Sequence, residues 1–225
     1  MTTKGIRAAV IGAVISAGMA LSPMLLTACG GTGITGSGTA ATQTRHLDAF
    51  SGVDLAASCN VTIQVGGRPS VVVRADDNLL RHVKTRARAG TLTIWTTGSF
   101  TTNSPMSVQI STPSLQALTL SGSGAITAGN IQAQRLSVTL SGSGVVRASG
   151  TVTRLDVSLG GSGEAQLGQL AARDVHAILK GSGRIVTRAT DTLQASVPGS
   201  GTIIYSGHPA HVTTRITGSG TVTRQ

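Results

Sequence analysis

Leu118-Thr-Leu-Ser-Gly-Ser-Gly-Ala-Ile126 is followed by Val138-Thr-Leu-Ser-Gly-Ser-Gly-Val-Val146, and the Gly-Ser-Gly triplet of both returns at 161–163, 181–183, 199–201 and 218–220. Successive triplets are 20, 19, 20, 18 and 19 residues apart. Two residues before the first Gly stand Leu120, Leu140, Leu159, Leu179, Val197 and Ile216; four before stand Leu118, Val138, Val157, Ala177, Ala195 and Thr214. Two residues after the triplet come Ile126, Val146, Ala165, Ile185, Ile203 and Val222. Residues two apart on a strand share a face, so each unit reads as strand, Gly-Ser-Gly corner, strand, with these three columns pointing inward. A period near 19 leaves no room for a strand plus a packed helix. It suits one coil of a β-solenoid whose coils stack at about 4.8 Å.

Glycine has a physical role at such a corner, because a sharp change of direction and close backbone approach leave no space for a Cβ. Ser123, Ser143, Ser162, Ser182, Ser200 and Ser219 are expected to lie one above another, each hydroxyl able to bond the neighbouring coil. A phosphate-cradling role is disfavoured. No helix-forming run follows any triplet, and Lys180 precedes its triplet where a phosphate loop needs lysine after it.

Composition agrees with a β-rich chain. The 225 residues include 30 Gly but only 6 Pro, 12% charged residues and four aromatics, Phe50, Trp95, Phe100 and Tyr205. Disorder at that glycine content would need more proline and charge. The Val, Ile and Thr that dominate the rest suit a pleated sheet, and with so few aromatics the core must be layers of aliphatic side chains. Two cysteines, Cys29 and Cys59, exclude a disulfide-stapled miniprotein.

At the amino end, Lys4 and Arg7 precede a largely apolar, uncharged stretch from Ala8 to Leu26, the layout of a secretory signal. Leu26-Thr-Ala-Cys29 then looks like the lipobox of bacterial lipoproteins. Cleavage before Cys29 and lipidation of its thiol are expected, giving a signal peptide at 1–28. A non-lipidated signal cut elsewhere, or an anchor helix broken near Pro23, is the competing reading. Residues 29–44, rich in Gly, Thr and Ser, have the composition of a flexible tether. Gly30 after the cysteine resembles the pattern that passes a lipoprotein to the outer membrane of a Gram-negative cell; otherwise the outer face of the cell membrane is expected. Cleavage removes Lys4 and Arg7 from the 18 basic residues, leaving 16 against 8 acidic. That excess favours acidic polysaccharide or headgroups electrostatically, and secretion makes nucleic acid an unsuitable partner.

Residues 45–115 are less regular but strand-like, with Asp76-Asp-Asn-Leu-Leu-Arg-His-Val83 the one short helical turn expected, capped by Asp76 or Asp77. They are expected to form the irregular first coils of one domain that continues through the repeats at 116–225. Phe50-x-x-Val53, Asn60-Val-Thr-Ile-Gln-Val65, Val71-Val-Val-Arg-Ala-Asp-Asp-Asn-Leu-Leu80, Gly90-Thr-Leu-Thr-Ile94 and Pro113-x-Leu115-x-x-Leu-x-Leu-Ser-Gly-Ser-Gly124, with the later triplets, resemble the head GIN domain of putative auto-transporter adhesins. The resemblance covers about residues 45–225. It implies a right-handed β-helix in secreted or lipid-anchored bacterial proteins, an adhesive role, and no catalytic residues to carry over. The fold class expected is therefore all-β: a single-stranded right-handed parallel β-helix of about 19–20 residues per coil.

Enzymes on β-helices need paired carboxylates, or a carboxylate cluster for calcium with a basic neighbour. The repeats contain only Asp156, Glu164, Asp174 and Asp191. The alignment puts Asp156 beside His176, and Glu164 beside Arg184, on successive coils; each pair reads as an exposed charge pair rather than half of a catalytic site. His208-Pro-Ala-His211 lacks the companions of a metal site, so neither metal nor cofactor is expected. Cys59 reads as a buried free thiol. Lys84, Arg86 and Arg88 alternate along an apparent strand and are the candidate contact for an anionic ligand, glycan or headgroup; a solvated edge that resists aggregation is the alternative.

Three functions remain. A non-catalytic, lipid-anchored envelope protein presenting Thr119, Thr139, Ser158, Ser196 and Arg215 to a surface partner, an anionic polysaccharide or an envelope protein, fits best. The alternatives are a polysaccharide-active enzyme on the same scaffold and a structural or envelope-stress component. The last unit, through Thr221-Val-Thr-Arg-Gln225, shows no obvious cap, so its edge is a candidate for pairing with another chain.

Overall fold

The computed structural model describes residues 33–102 and 104–225. The expected signal peptide and Cys29 lie outside the described residues. In chain order the strands are β1 (Ile34–Thr35), β2 (Ala40–Arg45), β3 (Gly52–Ala56), β4 (Asn60–Val65), β5 (Ser70–Asp76), β6 (Val83–Arg88), β7 (Thr91–Thr96), β8 (Phe100–Thr101), β9 (Ser107–Thr112) and β10 (Ala117–Leu120). The long β11 (Ala125–Leu140), β12 (Val145–Leu159), β13 (Glu164–Leu179) and β14 (Arg184–Val197) follow, then β15 (Thr202–Ser206), β16 (His211–Ile216) and β17 (Thr221–Arg224).

The Gly-Ser-Gly units are successive coils of a parallel β-solenoid. Each strand before a triplet pairs in register with the strand before the next, as Leu118↔Val138 and Leu120↔Leu140 do, and each strand after a triplet pairs likewise, as Ile126↔Val146 does. The same registers run on through β12, β13, β14, β15, β16 and β17. Two faces result, one before and one after the corner. The long strands bend between them at ladder irregularities such as Ala128/Ile131, where Asn130 takes φ 60° and, one coil on, Gly150 takes φ 131°. All three apolar columns are buried through the fifth triplet, from Leu120 to Val197, Leu118 to Ala195 and Ile126 to Ile203. Each fully buried Leu or Ile contributes about 1.5–3 kcal/mol relative to exposure, so the stack itself is the core.

The corner glycines meet the coil beneath. A Cβ on Gly142 would stand 2.0 Å from the carbonyl oxygen of Gly122, one on Gly161 2.1 Å from that of Gly142, and one on Gly181 1.9 Å from that of Gly161. The second glycine of each triplet is confined in the same way, Gly144 against Gly124 at 2.1 Å and Gly183 against Gly163 at 2.1 Å. Backbone bonds link the corners, for example Ser182 N–H to Gly161 C=O at 3.2 Å and Ser200 N–H to Gly181 C=O at 3.1 Å. The six serines, expected to form a hydroxyl ladder, instead sit exposed at the tips while the main chain makes these bonds.

Residues 45–115 do not follow the order of a single wound ribbon. β3 lies between β7 and β10, pairing in parallel with both (Val53↔Leu92 and Val53↔Leu118), and β4 lies between β9 and β11 (Val61↔Val108 and Val61↔Ile126). The coil nearest the first repeat is therefore Gly52–Val65, and the later segment Thr91–Thr112 lies beneath it. β5 pairs antiparallel with β9, β2 antiparallel with β5, and β6 antiparallel with β7. These reversed strands close the amino-proximal end. Antiparallel pairing lets the chain double back through short turns, which parallel coils cannot do.

Two further expectations are corrected. Ile34–Thr35 and residues 40–44, assigned to the flexible tether at 29–44, lie in β1 and β2, because β8 and β5 offer free edges to pair with. The helical turn is confined to Leu80–His82, with no side-chain cap. Asp76 ends β5 and is buried elsewhere.

Candidate functional site

The outer surface of the face before the corner is a set of rows read from the strand registers. One row runs Arg86, Thr93, Asp54, Thr119, Thr139, Ser158, Ile178, Ser196, Arg215. The five residues singled out for presentation, Thr119, Thr139, Ser158, Ser196 and Arg215, thus share a single row, interrupted by Ile178. Short hydroxylated side chains on a regular sheet leave that row low, without a cleft. Asp54 is the acidic member of it, and partial burial raises its carboxyl above the ordinary carboxylate range.

The neighbouring row runs Ala117, Ser137, Asp156, His176, Gln194, Thr213. Asp156 and His176 are cross-coil partners as the alignment requires, with His176 Nδ1 3.8 Å from Asp156 Oδ1. The carboxylate is already held by two guanidinium groups, Arg135 Nε donating to Oδ2 at 3.0 Å and Arg154 Nε to Oδ1 at 3.4 Å. Both of its oxygens are accepting, which leaves it poorly placed to take a proton from a substrate. Arg173 donates in the same way to Asp191 at 3.0 Å; that bond, then the charges of Asp191 and Asp174, hold its guanidinium still more firmly protonated. Exposed pairs of this kind contribute little to stability. Glu164 and Arg184 are register partners across β13 and β14.

Open grooves run along the outside of the coils. One of about 710 Å³ is lined by Gln132, Gln134, Thr151, Thr153, Arg173 and Thr190. Another of about 430 Å³ includes Arg147, Glu164, Gln166, Gln169 and Val186. The first contains no carboxylate and the second contains one, against the pair that glycoside hydrolysis needs. Among the described residues there is no group of three His, Cys, Asp or Glu placed to hold a metal. His208 and His211 are exposed, His211 opening β16.

Lys84, Arg86 and Arg88 are exposed on one face of β6, opposite Trp95, Thr93 and Thr91 respectively. Among the described residues none of the ion pairs includes them.

Two features escaped the sequence. Ala57-Ser-Cys59 is a corner of the same kind as the triplets: the Cβ positions of Gly122 and Gly124 point at the carbonyl oxygens of Ala57 and Cys59, at 2.4 and 2.3 Å. Its only sequence signal is a central Ser between small residues. Cys59 is buried there, and burial pushes its thiol up to about 11, so it is packed and unreactive. The second is Asp76, which accepts a bond from Thr102 Oγ1 at 2.7 Å. Side-chain bonds from Thr102 and Ser104, with a backbone bond from Gly38, hold its carboxyl below the ordinary carboxylate range. Beside it Ser37 N–H donates to Asn78 Oδ1 at 3.0 Å, and Asn78 Nδ2 donates to Thr35 C=O at 2.8 Å. Asp76, Asp77 and Asn78, read from sequence as the start of a helical turn, pin residues 34–40 to the domain.

A family profile described as putative auto-transporter adhesin, head GIN domain, matches residues 49–209. A putative adhesin from Bacteroides fragilis has a similar structure, with TM-score 0.72 and 23% identity, covering 86% of this chain and 100% of that one. A putative lipid binding protein from Parabacteroides distasonis gives 0.56 at 22% identity, covering 85% and 99%, and a putative adhesin from the same species gives 0.54 at 21%, also covering 85% and 99%. No curated protein matches.

Proposed function

Since the chain belongs to the head GIN domain family of putative auto-transporter adhesins, we propose that it is a non-catalytic, lipid-anchored envelope protein that adheres through the outer surface of its solenoid. The observation that carries this reading is the row Thr119, Thr139, Ser158, Ser196, Arg215, repeated at coil spacing on a sheet face. Extended partners such as polysaccharide chains can bond to such a row at several successive coils, each contact weak and the sum useful. The engagement of Asp156 by Arg135 and Arg154 supports a binding role over hydrolysis. The lipobox at Leu26–Cys29 supports attachment through Cys29, on the outer membrane of a Gram-negative cell or the outer face of the membrane otherwise.

The test is retention of the protein on surface polysaccharides and on envelope-protein extracts, compared with a Thr119→Glu/Thr139→Glu variant. The variant is expected to bind at least about tenfold more weakly, the equivalent of one 1.4 kcal/mol contact. Release of shortened polysaccharide by the wild type, lost in Asp156→Ala, would replace the adhesive reading with an enzymatic one.

A further inference from the structure

The structure brings the basic row and the point where the chain enters the domain to the same end of the solenoid. β1 pairs with β8, which follows β7 in the lowest coil, and Gly36 N–H bonds to Thr101 C=O at 2.8 Å. β6, carrying Lys84, Arg86 and Arg88, is paired to that same β7. Since residues 34–45 are largely strand and pinned by Asp77 and Asn78, the sixteen-residue tether expected from composition does not extend through them. Four peptide steps from Cys29 to Gly33 reach at most about 14 Å. On the reading that Cys29 carries lipid, the amino-proximal end is thereby kept within about two Debye lengths of the bilayer.

We propose that Lys84, Arg86 and Arg88 form a membrane-facing row that contacts anionic lipid headgroups at the amino-proximal end of the solenoid. Three cations on alternate residues of an edge strand are spaced by about 6.8 Å along it, and long Lys and Arg side chains extend several ångströms beyond the sheet. Arg135 and Arg154 share Asp156, and Arg173 pairs with Asp191, whereas the three β6 cations, clustered on one short strand, enter no ion pair among the described residues. Polybasic segments next to a lipid anchor add electrostatic attraction to its hydrophobic attachment. A row placed at the opposite end of the stack could not do this.

Trp95, the chain's one tryptophan, stands opposite Lys84 and reports directly on this contact. The lipidated protein is reconstituted into vesicles of phosphatidylcholine alone, or with phosphatidylglycerol, each containing a headgroup spin-labelled lipid. Flotation with the neutral vesicles reads the lipid anchor by itself. Quenching of Trp95 is expected to be several-fold stronger in the anionic vesicles, to fall at high salt, and to drop to the neutral level in Lys84→Ser/Arg86→Ser/Arg88→Ser, which still floats. A protein that floats but whose Trp95 quenching ignores lipid charge or the triple substitution overturns the headgroup contact and leaves the anchor standing. Failure to float with neutral vesicles removes the anchor, and the proposal with it. Capture of polygalacturonate that is lost in the triple variant, without lipid quenching, reassigns the row to a glycan.

Discussion

The corner at Ala57-Ser58-Cys59 and the six Gly-Ser-Gly corners lie in one column of the same stack, yet only the latter need glycine. What differs is the layer beneath. Each repeat corner rests on another corner, so its glycines stand about 2 Å, in Cβ terms, from a carbonyl oxygen. Beneath Ala57–Cys59 the coil Thr91–Thr112 departs from the column: Ala56 faces Trp95 and Asn60 faces Ser107, so a far longer stretch of chain separates these partners than a three-residue corner takes. That detour leaves room for the side chains of Ala57 and Cys59. Glycine here is a requirement of stacking, and turning alone does not impose it.

The strongest way to break this comparison is to add a side chain at one kind of corner and remove one at the other. Gly181→Val forces its side chain into the Gly161 carbonyl and is expected to cost about 4 kcal/mol or to prevent folding, whereas Ala57→Gly is expected to cost no more than about 1 kcal/mol. Chemical denaturation of the two variants checks this, and a clear gain in stability in Ala57→Gly would mean that the corner conformation, rather than the coil beneath, demands glycine.

A second contrast is between the middle and the carboxyl-proximal coil. Leu155 is fully buried between coils, while Val212 and Ile216, at equivalent inward positions on β16, are 44% and 46% exposed. Leu155→Ala is expected to lose about 3 kcal/mol through its cavity, and Val212→Ala about 0.5 kcal/mol. Similar losses in denaturation midpoint would show that the carboxyl-proximal edge is covered in solution.

The smallest effect expected concerns acid. Because the native carboxyl of Asp76 lies below its ordinary value of 3.8, its bonds to Thr102 and Ser104 contribute stability that is fully present above that value. The contribution disappears as pH falls through the lower native value. Acidification is therefore expected to speed hydrogen exchange in β1, β2 and the segment around Thr102 before it affects β12 and β13, and Asp76→Asn is expected to lack this pH step. Loss of protection spread evenly over the stack would refute the local latch.

The solenoid repeats were legible because a period of 18–20 residues carries three apolar columns, and burial of one face fixes strand register. The presentation row and the β6 row followed from the same alternation. The spatial order of the first coils was not legible: β3 is equally suited by its alternation to either neighbour, and no local residue encodes that β7 is to pass beneath it. Asp76 looked like a helix cap because Asp-Asp-Asn suits both a cap and a side-chain clamp, and the partners that decide between them, Ser37, Thr35 and Thr102, are remote in sequence.

The amino-acid sequence by itself determined that the chain winds into stacked coils, that glycine recurs at their corners, and which outward residues become neighbours on successive coils, since each of these depends on residues at short, regular spacing. Only the tertiary structure decided that residues 34–45 belong to the domain, that Thr91–Thr112 lies beneath Gly52–Val65, and that Lys84, Arg86 and Arg88 stand at the end where the chain enters. Those outcomes depend on which free strand edge meets which, a choice made by contacts tens of residues apart, on which local periodicity has no hold.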